Sequence, residues 1–119
     1  MLTRLTMKST LLTAAFTLSF LLATGSAAHA QDAVKHGQEV YNAQKCSICH
    51  SIAGKGGKAN PLDGVGAKLS ADDIRHWIMN PTEMTAKAKS TKKPPMPNRY
   101  SKLPAADIDG LVAYMQSLK

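Results

Sequence analysis

The chain has 119 residues, 15 Lys+Arg against 8 Asp+Glu for a formal net charge of +7, and 2 Cys, which leaves room for one small domain. With 1 Trp, 2 Phe and 3 Tyr, few large side chains are on hand for a core, and a group other than protein is expected to fill part of the interior. Only Ser47 and Ile48 separate the cysteines, which excludes a disulfide framework, because a bridge there would tie no distant segments together.

Residues 1–30 read as an export signal. Arg4 and Lys8 are the only charges before Asp32, an apolar stretch follows over 11–22, and Ala28 and Ala30 flank His29 as an A-x-A cleavage site. Cleavage after Ala30 would leave residues 31–119 as the exported domain. The rival reading, an uncleaved anchor, is weaker because the apolar centre falls well short of the ~20 residues that span a bilayer. Both Met1 and Met7 are open as the start. The mature product is expected outside the cytoplasm and not membrane-spanning.

From 32 to 45 no proline interrupts the chain, and Val34, Gly37, Val40 and Tyr41 recur at helical spacing. The helix runs directly into Cys46-Ser47-Ile48-Cys49-His50, which matches C-x-x-C-H, the attachment sequence of a c-type haem. Two thiols at this spacing can add to the two vinyl groups on one edge of a porphyrin. The His that follows is then placed to offer its imidazole to the iron. A zinc site is a poorer match, since no second cysteine pair exists and His36, His50 and His76 lack finger spacing. Thioredoxin-like chemistry would need a βαβ context that the sequence does not offer. One covalent haem c with its iron is therefore the expected cofactor.

The next helix is announced by Ser70 as N-cap, Asp73 at the capping-box position and Leu69 placed to staple against Ile74, with Pro81 as its stop. Ile74, Trp77 and Ile78 share one face, so Trp77 reads first as core. A proline-rich stretch, Lys92-Lys93-Pro94-Pro95-Met96-Pro97, comes next. Its prolines fix φ and hold Met96 towards extended geometry, so the thioether can be presented at low ordering cost. Candidates for a sixth iron ligand are Met79, Met84, Met96, Met115, His36 and His76; Met96 is preferred, and Met79 and Met115 read first as core. His/Met ligation raises the reduction potential and suits electron transfer. The last helix starts at Pro104, with Asp107 and Asp109 near its positive end. It carries Ile108, Leu111, Val112, Met115 and Leu118 on one face.

Taken in order, these features resemble the small monohaem class I cytochromes c of bacterial periplasms over nearly all of residues 33–119. The resemblance implies an all-α cytochrome c fold, with short helices and loops wrapped around one covalent haem held by Cys46 and Cys49 and ligated by His50 and Met96. It implies periplasmic localisation and a one-electron carrier rather than an enzyme. It further implies that the first and last helices cross where Gly37 meets Leu111 and Tyr114, and that the Trp77 indole N–H reaches a haem propionate. The family's Gly-Pro-x-Leu-x-Gly carbonyl, which accepts the ring N–H of the iron-bound His, corresponds to Ala59-Asn60-Pro61-Leu62-Asp63-Gly64, with Asn60 or Pro61 as the acceptor depending on register. Tyr41 stands one residue further from Cys46 than the family aromatic, which leaves Val40 as the alternative occupant.

Lys87, Lys89, Lys92, Lys93, Arg99 and Lys102 make the segment from 84 to 102 basic, with no acidic residue. A basic protein can bind nucleic acid, but export argues against that. If Met96 ligates iron, the segment lies beside the haem and can steer acidic redox partners to it. A monomer is favoured. Two alternatives stay open: a haem enzyme or small-molecule sensor with a displaceable sixth ligand, and the cytochrome subunit of a larger oxidoreductase complex.

Overall fold

The computed structural model describes residues 9–119; Met1, Arg4, Met7 and Lys8 lie outside the described residues. The chain divides into two units, Met1–Asp32 and Ala33–Lys119, and the second holds the buried core. Helix α1 spans Ser9–Ala43. Among the described residues, no helix is long and apolar enough to cross a membrane. A helix end at Lys45 was expected, but α1 stops at Ala43. Lys45 adopts the left-handed conformation, φ 56°, and turns the chain into a 3-10 turn, Cys46–Ile48.

Three short strands follow: β1 His50–Ile52, β2 Lys55–Gly56 and β3 Asn60–Pro61. They form a sheet in the order β2-β1-β3, with β1 antiparallel to β2 and parallel to β3, His50 opposite Asn60 and Ser51 opposite Pro61. Next come α2 Val65–Lys68, α3 Ala71–Met79, α4 Pro81–Lys87, a 3-10 segment Asn98–Lys102, and α5 Ala105–Ser117. The fold is mostly helical, as an all-α cytochrome c fold requires, with the sheet as a small addition.

The capping box of α3 is in place. Asp73 N–H donates to Ser70 Oγ at 3.1 Å, and the Ser70 N–H faces Asp73 Oδ2 at 3.4 Å, a cap of the kind that stabilises a helix by about 1 kcal/mol. The side-chain bond from Ser70 holds the exposed Asp73 carboxyl below its ordinary range. Pro81 does not simply end the helical run. It occupies the first turn of α4, where its missing N–H costs nothing, so Met84 lies on a helix rather than in a loop.

Buried residues Val40, Tyr41, Ile74, Ile78, Tyr100, Ile108, Leu111, Val112 and Met115 form the core. The crossing of α1 and α5 differs in one detail from the expectation. A Cβ on Gly37 would lie 1.8 Å from Gly110 O and 2.8 Å from Tyr114 Cβ, so the nearest partners of Gly37 are the Gly110 backbone and the expected Tyr114. Only a residue without a Cβ admits that approach. Beside it, the Tyr41 and Tyr114 rings meet edge to face at 5.6 Å, so Tyr41 itself, rather than Val40, supplies the aromatic contact. His36 Nε2 lies 2.9 Å from Asp107 Oδ1 at the same crossing, and Arg75 Nη2 lies 2.6 Å from Asp109 Oδ1. Both pairs are partly exposed, and such pairs contribute about 1 kcal/mol or less.

Candidate cofactor site

Within the second unit, a cavity of about 730 Å³ falls in the size range of small-molecule and cofactor sites. The motif after α1 supplies one wall: Cys46, Cys49 and His50 all line it. The 3-10 turn that carries them is held by bonds from Ile48 N–H to Lys45 O and from Cys49 N–H to Cys46 O. The Gly57 N–H donates to Ser47 O at 2.9 Å and His50 O at 3.1 Å. The rest of the lining comes from Leu62 and Val65, from Ile74, Trp77 and Ile78 of α3, from Leu111 and Met115 of α5, and from the segment that contains Met96 and Tyr100.

His50 is oriented from behind. Its Nδ1 lies 3.0 Å from the Asn60 carbonyl oxygen. A carbonyl can only accept, so Nδ1 carries the proton and Nε2 keeps its lone pair for another partner. Burial pushes the His50 pKa down; the bond to Asn60 opposes this and the field of Lys92 adds to it. The net direction favours the neutral imidazole that a metal needs. Of the acceptors left open by the sequence, Asn60 is the one whose carbonyl reaches the ring. The parallel pairing of β3 with β1 explains the register, since it sets Asn60 opposite His50. The side-chain amide of Asn60 also reaches Cys49 O at 3.5 Å, and Tyr41 Oη reaches His50 O at 3.4 Å. Tyr41 is pushed up to about 12 by burial and then by neighbouring Cys46 and Tyr114.

Burial pushes the Cys46 thiol up, whereas exchange chemistry at a C-x-x-C pair relies on a lowered value. Among the described residues, no group of three or more His, Cys, Asp or Glu could hold a metal ion by itself, so a zinc site finds no ligand set. What the cavity offers is a pair of thiols, one imidazole with a free Nε2, and mostly apolar walls. That donor set fits an iron porphyrin, whose faces are apolar and whose vinyl groups can take two thioethers.

The other candidate axial ligands fall into two groups. Met96 and Met115 line the cavity; Met79, Met84, His36 and His76 do not. His36 is engaged with Asp107, and His76 Nδ1 is 3.0 Å from Asp72 O. Met115 is buried in the core cluster on α5, while Met96 is half-buried on the proline-rich segment, flanked in the lining by Pro95 and Pro97. Trp77 also lines the cavity.

Sequence reasoning missed Tyr100 as a cavity residue, whereas Lys89 and Lys92, expected beside the haem with Met96, do line the cavity. Tyr100 is buried and lies under the Arg99 guanidinium, 4.9 Å from ring centroid to Cζ. In a chain so poor in aromatics, a Tyr just after the methionine loop was a usable signal. Pro81 followed by Glu83 was likewise the signature of a helix start.

A mostly helical domain that closes over a cavity with two thiols and an oriented imidazole in its wall has the architecture of a class I cytochrome c. The family model described as Cytochrome c matches residues 34–119, and the chain belongs to the cytochrome c family. Membership implies a covalently bound haem c with iron and haem-based electron transfer. No curated protein and no solved structure matches the chain.

Proposed function

We propose that the protein is a periplasmic monohaem cytochrome c that shuttles single electrons between redox proteins and has no substrate chemistry of its own. Cys46 and Cys49 would hold the haem through thioethers, and His50 Nε2 and the Met96 thioether would ligate its iron. The bound group supplies the redox change, one electron per cycle of its iron between ferric and ferrous. The chain's own residues do the rest. Asn60 O holds the proton on His50 Nδ1 and makes the ring a better donor. Leu62, Val65, Ile74, Ile78 and Leu111 exclude water, which favours the reduced state of lower charge. The proline-rich loop holds the thioether without a large ordering cost.

The observation that carries this reading is that His50, with Nε2 free, and Met96, on a stiff loop outside the core helices, line one cavity. An exported fate follows from residues 1–30, with cleavage after Ala30. The purified, matured protein is expected to be coloured, to keep its colour on the denatured chain, and to resist carbon monoxide when reduced. A colourless protein, or one that binds carbon monoxide as readily as an open globin, would refute the reading.

Docking belongs to the basic segment. Lys87, Lys89, Lys92, Lys93, Arg99 and Lys102 are all exposed, Lys89 and Lys92 also line the cavity, and the surface ion pairs His36–Asp107 and Arg75–Asp109 lie elsewhere. Its uncompensated positive field attracts acidic redox proteins to the haem. Electron-transfer rates with an acidic partner are expected to fall steeply between low and physiological ionic strength, as the Debye length contracts from about 30 to about 8 Å. Rates indifferent to salt would remove this role from the segment.

A further inference from the structure

Resting on the His50 and Met96 assignment above, we propose that Lys92 is a positioning residue that fastens the Met96 loop to the segment orienting His50, so that the supports of both axial ligands form one connected unit. The Lys92 ammonium donates a hydrogen bond to the carbonyl oxygen of Ala59. Ala59 is joined directly to Asn60, and Asn60 is where the proximal side is held: its carbonyl accepts the His50 ring N–H at 3.0 Å, and its side-chain amide reaches Cys49 O at 3.5 Å. Its strand is paired with the strand of His50. A load on Ala59 is therefore a load on the His50 support.

On the other side, only Lys93, Pro94 and Pro95 separate Lys92 from Met96. The prolines lock φ, so little slack exists to absorb a displacement of Lys92 before it reaches the thioether. The Lys92 backbone is held as well, with its N–H 3.4 Å from Ser90 Oγ. Lys92 lines the cavity, whereas its neighbour Lys93, of equal charge and also exposed, does not. A hydrogen bond from a charged donor is stronger than one between neutral groups, which suits it to hold a loop that has no regular secondary structure of its own.

The test uses the oxidised holoprotein and imidazole as the probe. Imidazole can take the sixth position only when Met96 leaves, so the rate at which the weak red-edge absorption band of the iron–sulfur bond disappears reports loop release. Lys92→Ala is expected to accelerate this by about tenfold, the equivalent of one charge-assisted hydrogen bond in part exposed to solvent. Lys92→Arg, which keeps the cation and the donors, is expected to restore the parent rate. Lys93→Ala is expected to match the parent, and Lys92→Ala should keep the parent's helical circular dichroism spectrum, its unfolding midpoint falling by no more than about 10 °C, as the loss of one such bond allows. Equal rates for Lys92→Ala and Lys93→Ala would overturn the proposal, as would a Lys92→Arg protein as fast as Lys92→Ala. A Met96→Ala protein that retains the band would instead refute the ligand assignment itself, and the clip would fall with it.

Discussion

Met96→Ala is expected to abolish the red-edge band of the oxidised protein and to lower the reduction potential by on the order of hundreds of millivolts, since axial-ligand choice spans about 0.8 V in haem proteins. The thioether stabilises ferrous iron more than ferric iron, and its loss leaves the oxidised state favoured. The informative comparison is with Met115, the other methionine in the cavity wall. Met115 is buried on α5 among Ile108, Leu111 and Val112, so Met115→Ala removes core packing and is expected to destabilise the fold by about 2–5 kcal/mol while the band survives. Met84→Ala, outside the lining on α4, should leave both band and potential unchanged. Spectra and potentiometry of the three variants separate a ligand from a packing residue. A band lost with Met115 and retained without Met96 would reverse the assignment.

Gly37→Ala is expected to cost at least about 3 kcal/mol, at or above the top of the usual range for overpacking. The added methyl would sit 1.8 Å from Gly110 O and 2.4 Å from Gly110 C. Both are backbone atoms in the middle of α5, so neither can swing aside, and the helices must part. The gain of about 1 kcal/mol in helix propensity on replacing glycine offsets only a fraction of this. Gly110→Ala should be much milder. Its methyl meets first the His36 Cδ2 at 2.8 Å, the end of a movable ring, and the Gly37 backbone only at 3.0 and 3.2 Å. Urea unfolding of the holoproteins checks the order, and a Gly37→Ala protein as stable as the parent would show that the helices do not cross at this point.

The chemistry was legible in the sequence where it is local. C-x-x-C-H compresses both thiols and the imidazole into residues 46–50, and the α3 cap needs only Ser70 and Asp73, so neither depends on the rest of the chain to be recognised. What spacing alone left open is decided by backbone placed at a distance. Lys55-Gly56 and Asn60-Pro61 have little strand propensity, and they pair because the chain on either side returns to the motif; with them goes the choice of Asn60 as the acceptor for His50. At the crossing Tyr114 was legible but the nearer Gly110 backbone was not, because periodicity reports which side chains are buried. It does not report where two backbones touch. Pro81 ends α3 as the sequence suggested, but it also opens α4, which the sequence reading left out, because proline ends one helix and begins the next with equal ease.

The close approach of Gly37 and Gly110 has a consequence for biogenesis. It joins the opening and final helices of the domain, and α5 also brings Leu111 and Met115 to the cavity wall. If the chain is exported as proposed, it would pass a translocation channel from its amino end and expose both cysteines long before α5 emerged. The attachment turn would then be open to haem addition while the chamber still lacks one side. Closing so long a loop carries the largest chain-entropy cost in the domain, so a premature stop that deletes α5 should leave a chain that can be stitched to its porphyrin yet never sealed around it.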